Sequence, residues 1–154
     1  MSDIRDPHRR TGRLDGRCLC GAVRIVIDGD HVAGVGACHC TMCRRWSGLV
    51  YGTFDVARDA VAATGPVVRY RSSENAVRAF CGTYGSHLWM EMPDEPHAPY
   101  EMIPGPFEGT RDFPLISEIY VDRRPAHVPL TGDHRTRTRA EYEAGAFHIE
   151  GDDP

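Results

Sequence analysis

The stretch CHCTMCRRWSG at residues 38–48 decides the fold, because it places Cys38, Cys40 and Cys43 in one short loop. Cysteines that lie one or two residues apart across a turn can bind the same zinc ion. Three protein ligands leave the fourth position of a tetrahedral site open for water or a substrate, as in catalytic zinc sites. We therefore expect an open three-thiolate zinc site, followed by a short helix that ends at Gly48.

The remaining cysteines, Cys18, Cys20 and Cys81, form a second candidate set of metal ligands. Cys18 and Cys20 repeat the C-x-C spacing, and a glycine follows both Cys20 and Cys81. Glycine lets backbone amides approach a charged sulfur and hydrogen-bond it. Free cysteines are also buried as small hydrophobic residues. Such residues would be scattered, whereas five of the six cysteines lie between Cys18 and Cys43.

The composition describes one globular domain, with 154 residues of which 41% are hydrophobic and 26% are charged. A net charge of -4 argues against nucleic acid as the main partner. The sequence shows neither a signal peptide nor an apolar run of the ~20 residues that span a bilayer. We expect a cytoplasmic protein without membrane contacts, in which reduced cysteines serve metal or thiol chemistry.

Short apolar runs between glycine and proline signals predict a mainly β domain. The domain is expected over residues 15–130, between a disordered N-terminus (1–14) and a C-terminal extension (131–154) that contains a short helix at 138–144. Asp28-Gly29-Asp30 predicts a hairpin turn. The proline-rich segment 93–114 predicts a long irregular connection of the kind that often forms a lid or rim. Strands are expected at 23–27, 31–37, 49–56, 67–70, 77–81, 87–92 and 116–121.

Four motifs together resemble the glutathione-dependent formaldehyde-activating enzyme family, which includes centromere protein V. They are GRCLCGAV (16–23), ACHCTMCRRWSG (37–48), YRSSENAVRAFCGTYGSHL (70–88) and PLISEIYVDRRPA (114–126). The resemblance implies a β-tent fold of small antiparallel sheets around two zinc sites. It assigns Cys38, Cys40 and Cys43 to the catalytic site, and Cys18, Cys20 and Cys81 to a structural one.

The chain departs from the family pattern at Tyr84, where a fourth cysteine of the structural site is expected. Three outcomes follow: zinc held by three sulfurs and another ligand, a site too weak for zinc, or a fold that does without it. Neutral tyrosine is a poor ligand, and His87 is the alternative donor nearby. Glu118 is a further departure, since relatives often place histidine near this position.

The resemblance implies a carbon–sulfur lyase that joins glutathione and formaldehyde to S-hydroxymethylglutathione, with zinc as cofactor. Because glutathione carries two carboxylates, Arg44, Arg45 and Arg78 are candidate substrate-binding residues, and Trp46 is a candidate wall of the site. Strand alternation points His39 away from the cysteines that flank it. A non-catalytic glutathione or thiol carrier, and a lyase for another glutathione conjugate, remain alternatives.

Overall fold

The computed structural model describes residues 3–145, in which eleven strands and two α-helices follow one another. The strands are β1 (Arg9–Arg17), β2 (Arg24–Val32), β3 (Val35–Cys38), β4 (Tyr51–Val56), β5 (Val61–Thr64), β6 (Val67–Arg71), β7 (Val77–Cys81), β8 (His87–Glu91), β9 (Tyr100–Met102), β10 (Leu115–Ile119) and β11 (Arg135–Arg137). The helices are α1 (Thr41–Ser47) and α2 (Arg139–Glu143). Short 3₁₀ turns lie at Asp6–His8, Arg58–Ala60, Glu108–Thr110 and Val121–Arg123.

The strands join one open sheet in the order β11-β10-β3-β4-β9-β8-β7-β6, and β2 links β1 and β5 to β4. Most pairings are antiparallel, while β10 runs parallel to both β3 and β11. The expected mainly β class is therefore confirmed. None of the helices in the described part of the chain has the length and hydropathy that a membrane crossing needs.

The N-terminal hairpin differs from the sequence prediction. Strand β2 continues through Asp28-Gly29-Asp30, so the predicted turn there is wrong, and its partner is β1 instead of residues 31–37. Gly29 has a φ of 150°, and a Cβ at this position would lie 2.8 Å from the Cβ of Ala60. Glycine is thus needed for a strand that passes close to its neighbour.

Most of the N-terminal segment that was expected to be disordered takes part in the fold. Residues 9–14 belong to β1, and Arg5 forms an ion pair of 2.8 Å with Asp55 of β4. Strand β1 therefore begins before residue 15, where the sequence analysis placed the start of the domain. The start of β1 could not be predicted, because a run of arginine, glycine and threonine carries no hydrophobic signal. The strand forms because it pairs with β2 along its whole length.

The proline-rich segment 93–114 is largely irregular, as predicted, but it contains β9. Three residues inserted between β4 and β8 complete the middle of the sheet. Met102 is fully buried there and pairs in register with both Phe54 and Trp89. Tertiary packing thus produces a strand that is too short for a periodicity signal.

The described part of the C-terminal extension is integrated into the sheet. Strand β11 pairs with β10, and α2 follows with a capping box between Thr138 and Glu141. The helix predicted at 138–144 is present as α2, and both β11 and α2 lie beyond residue 130, the expected end of the domain. Residues 1, 2 and 146–154, which belong to the expected terminal segments, lie outside the described residues.

Two buried clusters hold these elements together. The larger one packs Ile25 and Ile27 of β2 against Phe54, Leu88 and Met102. The smaller one surrounds the cysteine loop and joins Cys40, Cys43, Tyr51 and Tyr120, with Tyr142 of α2 packed against them. Burial of the larger cluster fixes the sheet, and the smaller cluster fixes the position of the cysteine loop on it.

Candidate functional site

The loop between β3 and α1 presents the first cysteine cluster. Cys38 ends β3, Cys40 is the N-cap of α1, and the backbone N–H of Cys43 donates to the sulfur of Cys40 at 3.4 Å. Helix α1 ends at Gly48, as predicted, where a φ of 87° favours glycine. A strand end and a first helical turn therefore direct three sulfurs to one point.

The geometry of this cluster fits a zinc ion. The Sγ atoms of Cys38, Cys40 and Cys43 all lie within 4.8 Å of one another. A tetrahedral zinc site with Zn–S bonds of about 2.3 Å has sulfur–sulfur edges of ~3.8 Å. Hydrogen bonds from Cys38 and Cys43 lower the pKa of Cys40 to about 3, while the contacts of Cys38 with Cys40 and Cys43 raise the pKa of Cys38. The cluster thus concentrates negative charge where a cation would replace thiol protons.

Arg78 of β7 is the buried cation at this cluster. Its Nη2 lies 4.0 Å from the sulfur of Cys43, and its Nε donates to Ser72 Oγ at 3.1 Å. The guanidinium also stacks over Trp46 and Tyr51, at 5.2 Å from each ring centroid. Its Nη1 is buried without a hydrogen-bond partner. This unused donor is available to a ligand, since buried N–H groups are normally paired.

A cavity of about 420 Å³ opens over the three cysteines. Its lining includes Arg78, Tyr51 and Glu101, together with Met90 and Tyr142. The hydroxyl of Tyr51 is buried and unpartnered, like Nη1 of Arg78. Such a volume is within the range of small-molecule sites, and its polar groups converge beside the sulfurs.

Glu101 is one of three acidic residues that line this cavity, together with Asp3 and Asp55. Burial raises the pKa of its carboxyl to about 7, and the nearby charge of Asp55 adds to the effect, while Arg78 opposes it. Its carboxyl therefore changes charge near neutral pH. Glu101 lies on β9, the strand that the sequence did not predict, and no motif pointed to it.

The second cysteine cluster lies at the turn after β1 and the end of β7. The sulfur of Cys20 is 3.5 Å from that of Cys18 and 3.7 Å from that of Cys81, close to the edge of a zinc–sulfur tetrahedron. Burial opposes ionisation of Cys18, but the amide of Val23 donates to its sulfur at 3.2 Å, and with the thiols of Cys20 and Cys81 it lowers the pKa to about 7. These sulfurs also fit zinc.

This second cluster has three cysteine ligands and no fourth one among residues 3–145. The group of candidate ligand atoms contains Cys18, Cys20 and Cys81 alone. Tyr84 is 67% exposed, and the ring of His87 packs at a tilt against Trp46, with the ring centroids 5.0 Å apart. His87 therefore packs against Trp46 and is not part of the cluster. The cluster is open on the side of the half-exposed Cys20.

The other predicted substrate-binding residues lie outside the cavity lining. Arg44 donates from Nε to the carbonyl of His39 at 2.9 Å, and Arg45 is exposed on α1. Trp46 packs at the cysteine cluster between His87 and Arg78, where it supports the arginine. Of the three arginines selected from the sequence, Arg78 is the one that reaches the cavity.

Comparisons with known proteins identify the family and a similar fold. The profile of the glutathione-dependent formaldehyde-activating enzyme family matches residues 13–123. The chain belongs to this family. The fold is similar to that of a solved Rhodobacter sphaeroides protein, with a TM-score of 0.52 and 22% identity over 66% of this chain and 98% of the other. No curated protein matches the chain.

The family match ends at residue 123, so β11 and α2 lie beyond it. Both nevertheless contribute to the cavity, through Arg135 and Arg137 of β11 and Tyr142 of α2. No sequence motif points to these residues, because they follow the last of the four motifs. The only available signal was the alternation of two arginines across Thr136.

A buried charge network supports the cysteine loop from the opposite face of the sheet. Glu118 is fully buried and accepts hydrogen bonds from Nε2 of His39, Nε2 of His134 and Nη1 of Arg124, at 2.7, 2.7 and 2.9 Å. Burial alone would raise its pKa, but these three donors keep it below the ordinary value. His39 points away from the cysteines, as alternation predicted, and the side chain of His134 is buried beside Glu118.

Proposed function

We propose that the protein is a zinc-dependent carbon–sulfur lyase that acts on glutathione and formaldehyde, in the direction of S-hydroxymethylglutathione or its cleavage. The observation that carries the proposal is the cavity in which three cysteine sulfurs converge beside the unused donor of Arg78. Membership of the family supports the same reaction.

Each group of the cavity has a part in this reaction. A zinc ion held by Cys38, Cys40 and Cys43 would supply positive charge that favours the thiolate form of an incoming thiol. Cys38, Cys40 and Cys43 fix the position of that charge, and the cavity walls orient the thiol toward the aldehyde.

The addition needs one proton to leave the thiol and one to reach the aldehyde oxygen. The sulfur forms a bond to the carbonyl carbon, and the electron pair of the C=O bond moves to oxygen. Nη1 of Arg78 and the hydroxyl of Tyr51 are the unpartnered donors that can stabilise this oxygen. Glu101 is the cavity acid that can exchange a proton near neutral pH.

The deciding experiment measures the exchange between glutathione, formaldehyde and their adduct by NMR, with and without protein. The wild type is expected to accelerate exchange over the spontaneous reaction, and Cys43→Ser is expected to abolish the acceleration while circular dichroism shows a retained fold. Cys20→Ser, which removes a sulfur from the other cluster, serves as the matched control and should keep the acceleration. Binding of glutathione without acceleration by the wild type would refute the lyase and leave a thiol carrier.

A further inference from the structure

We propose that Arg135 and Arg137 of β11 form a carboxylate-binding subsite of the cysteine cavity, which takes a terminal carboxylate of a peptide thiol such as glutathione. The inference rests on the part of the proposed function that places the thiol at Cys38, Cys40 and Cys43. It adds a specificity site on a strand that the family match does not include.

The register of the sheet places both arginines in line with the cysteine loop. Arg137 pairs with Ile119 of β10, and Ile119 pairs with Cys38 of β3. Arg135 pairs with Ser117 in the same way. Because alternate residues of a strand share a face, Arg135 and Arg137 point to one side of β11. That side is the cavity, since both arginines line it together with Ser117 and Ile119.

Their guanidinium groups are not engaged by the acids around them. Among residues 3–145, no carboxylate lies within ion-pair distance of either Arg135 or Arg137, although nine other arginines and histidines form such pairs. Glu141 senses the charge of Arg137, but its carboxylate is held by the backbone N–H and hydroxyl of Thr138. Two half-buried arginines without a carboxylate partner are thus directed at a ligand cavity.

The distances match the size of a tripeptide thiol. Cys38 and Arg137 lie two strands apart, which corresponds to ~10 Å between their backbones at the usual strand spacing. Three extended residues span at most ~10 Å, so a tripeptide whose central thiol lies at the cysteines reaches ~5 Å toward β11 with one of its ends. The long arginine side chains close the remaining gap. Guanidinium forks bind carboxylates bidentately, which gives this contact specificity as well as affinity.

The test compares glutathione with glutathione diethyl ester, in which both carboxylates are blocked, on the full-length zinc-loaded protein. Dissociation constants come from calorimetry, and KM and kcat come from the NMR exchange assay. The wild type is expected to prefer glutathione by at least about tenfold, the size of one charge-assisted hydrogen bond. The double variant Arg135→Gln/Arg137→Gln should lose this preference and raise KM, with kcat and zinc content unchanged. Arg24→Gln, at an exposed arginine of β2 outside the cavity, should behave as wild type.

The possible results distinguish failure of the proposed carboxylate subsite from failure of the proposed lyase activity. Turnover with an unchanged preference in the double variant overturns the subsite alone. A preference that depends on the two arginines, in a protein without turnover, supports the subsite and overturns the lyase. A wild type that binds glutathione and its diester equally well, or binds neither, overturns the subsite directly. Parallel loss of zinc in the double variant would assign β11 a structural role and also overturn it.

Discussion

Nε2 of His39 lies 2.7 Å from Oε1 of Glu118, although 79 positions separate the two residues in the sequence. This contact connects the cysteine loop to β10, because His39 lies between Cys38 and Cys40 of the first cluster and Glu118 lies on β10. The backbone N–H of His39 also donates to the carbonyl of Ile119 at 3.1 Å. The cysteine loop is therefore anchored to β10 through both its backbone and a buried charge.

The first prediction is that Glu118→Ala destabilises the protein and weakens its metal site. The change leaves His39, His134 and Arg124 without their shared acceptor, which costs roughly 3 kcal/mol of unfolding free energy for a buried pair broken on one side. Urea denaturation measures the loss, and competition with a chromophoric chelator measures zinc affinity. Glu108→Ala, at an exposed acid, should stay within about 0.5 kcal/mol of wild type. Wild-type stability of Glu118→Ala would contradict the anchoring role.

The second prediction concerns the open cluster at Cys18, Cys20 and Cys81. Tyr84→Cys restores a C-x-x-C spacing in a turn where the N–H of Gly85 donates to the carbonyl of Cys81 at 2.7 Å. A fourth sulfur closes the tetrahedron, so zinc release to a chelator should slow by about tenfold or more at this site. Tyr84→Ser is the matched control, since it removes the ring without adding a sulfur. Equal release from both variants would show that residue 84 does not reach the ion.

The third prediction is a pH dependence of stability that comes from Glu101. Its pKa is raised from 4.5 to about 7, so the folded protein binds more protons than the unfolded chain between these values. Stability contributed at this site is therefore lost as the pH rises from 4.5 to 7. The variant Glu101→Gln lacks this titrating carboxyl. Its unfolding free energy relative to wild type should therefore be roughly 1–3 kcal/mol higher at pH 8 than at pH 4.5. The control Glu74→Gln, at an exposed glutamate, should show no such difference between the two pH values. Chemical denaturation of both variants and wild type at pH 4.5 and pH 8 measures these unfolding free energies.

The fourth prediction is that Arg78→Gln slows the reaction without removing metal. The variant keeps a polar side chain but loses the charge beside Cys43 and the unused donor, which should lower kcat/KM for glutathione about 10- to 100-fold, as expected for one charge-assisted hydrogen bond. Zinc content should stay the same. Arg69→Gln is the matched control, because Arg69 also stacks on a tryptophan, Trp89 at 5.1 Å, and lies outside the cavity. A normal rate for Arg78→Gln would remove Arg78 from the reaction.

The two cysteine sets and most central strands could be predicted from the sequence, because their signals are local. The spacing of Cys38, Cys40 and Cys43 restricts them to one turn, and the glycine after α1 marks its end. Apolar alternation likewise located β2 and β7. The family resemblance supplied the chemistry, and the family match confirms that resemblance.

The elements that the sequence missed are held by long-range contacts. Strand β9 has three residues and forms because β4 and β8 flank it. Residues 9–14 extend β1 because β2 offers a nine-residue partner with Gly12 opposite Gly29. The same limit hid Glu101, His134 and the arginines of β11, since no local pattern shows which polar residues a sheet will bring to its cavity.

Strand β11 occupies the edge of the sheet and contacts β10 on one side. An edge strand of three residues can change its side chains, or its length, with little effect on the strands that carry the cysteines. Under the role proposed for Arg135 and Arg137, changes near residue 136 would alter which thiol the cavity accepts and leave Cys38, Cys40 and Cys43 unchanged. Exchange of β11, residues Arg135–Arg137, between homologues would therefore be a direct way to change the thiol specificity of the cavity while the three cysteines stay in place.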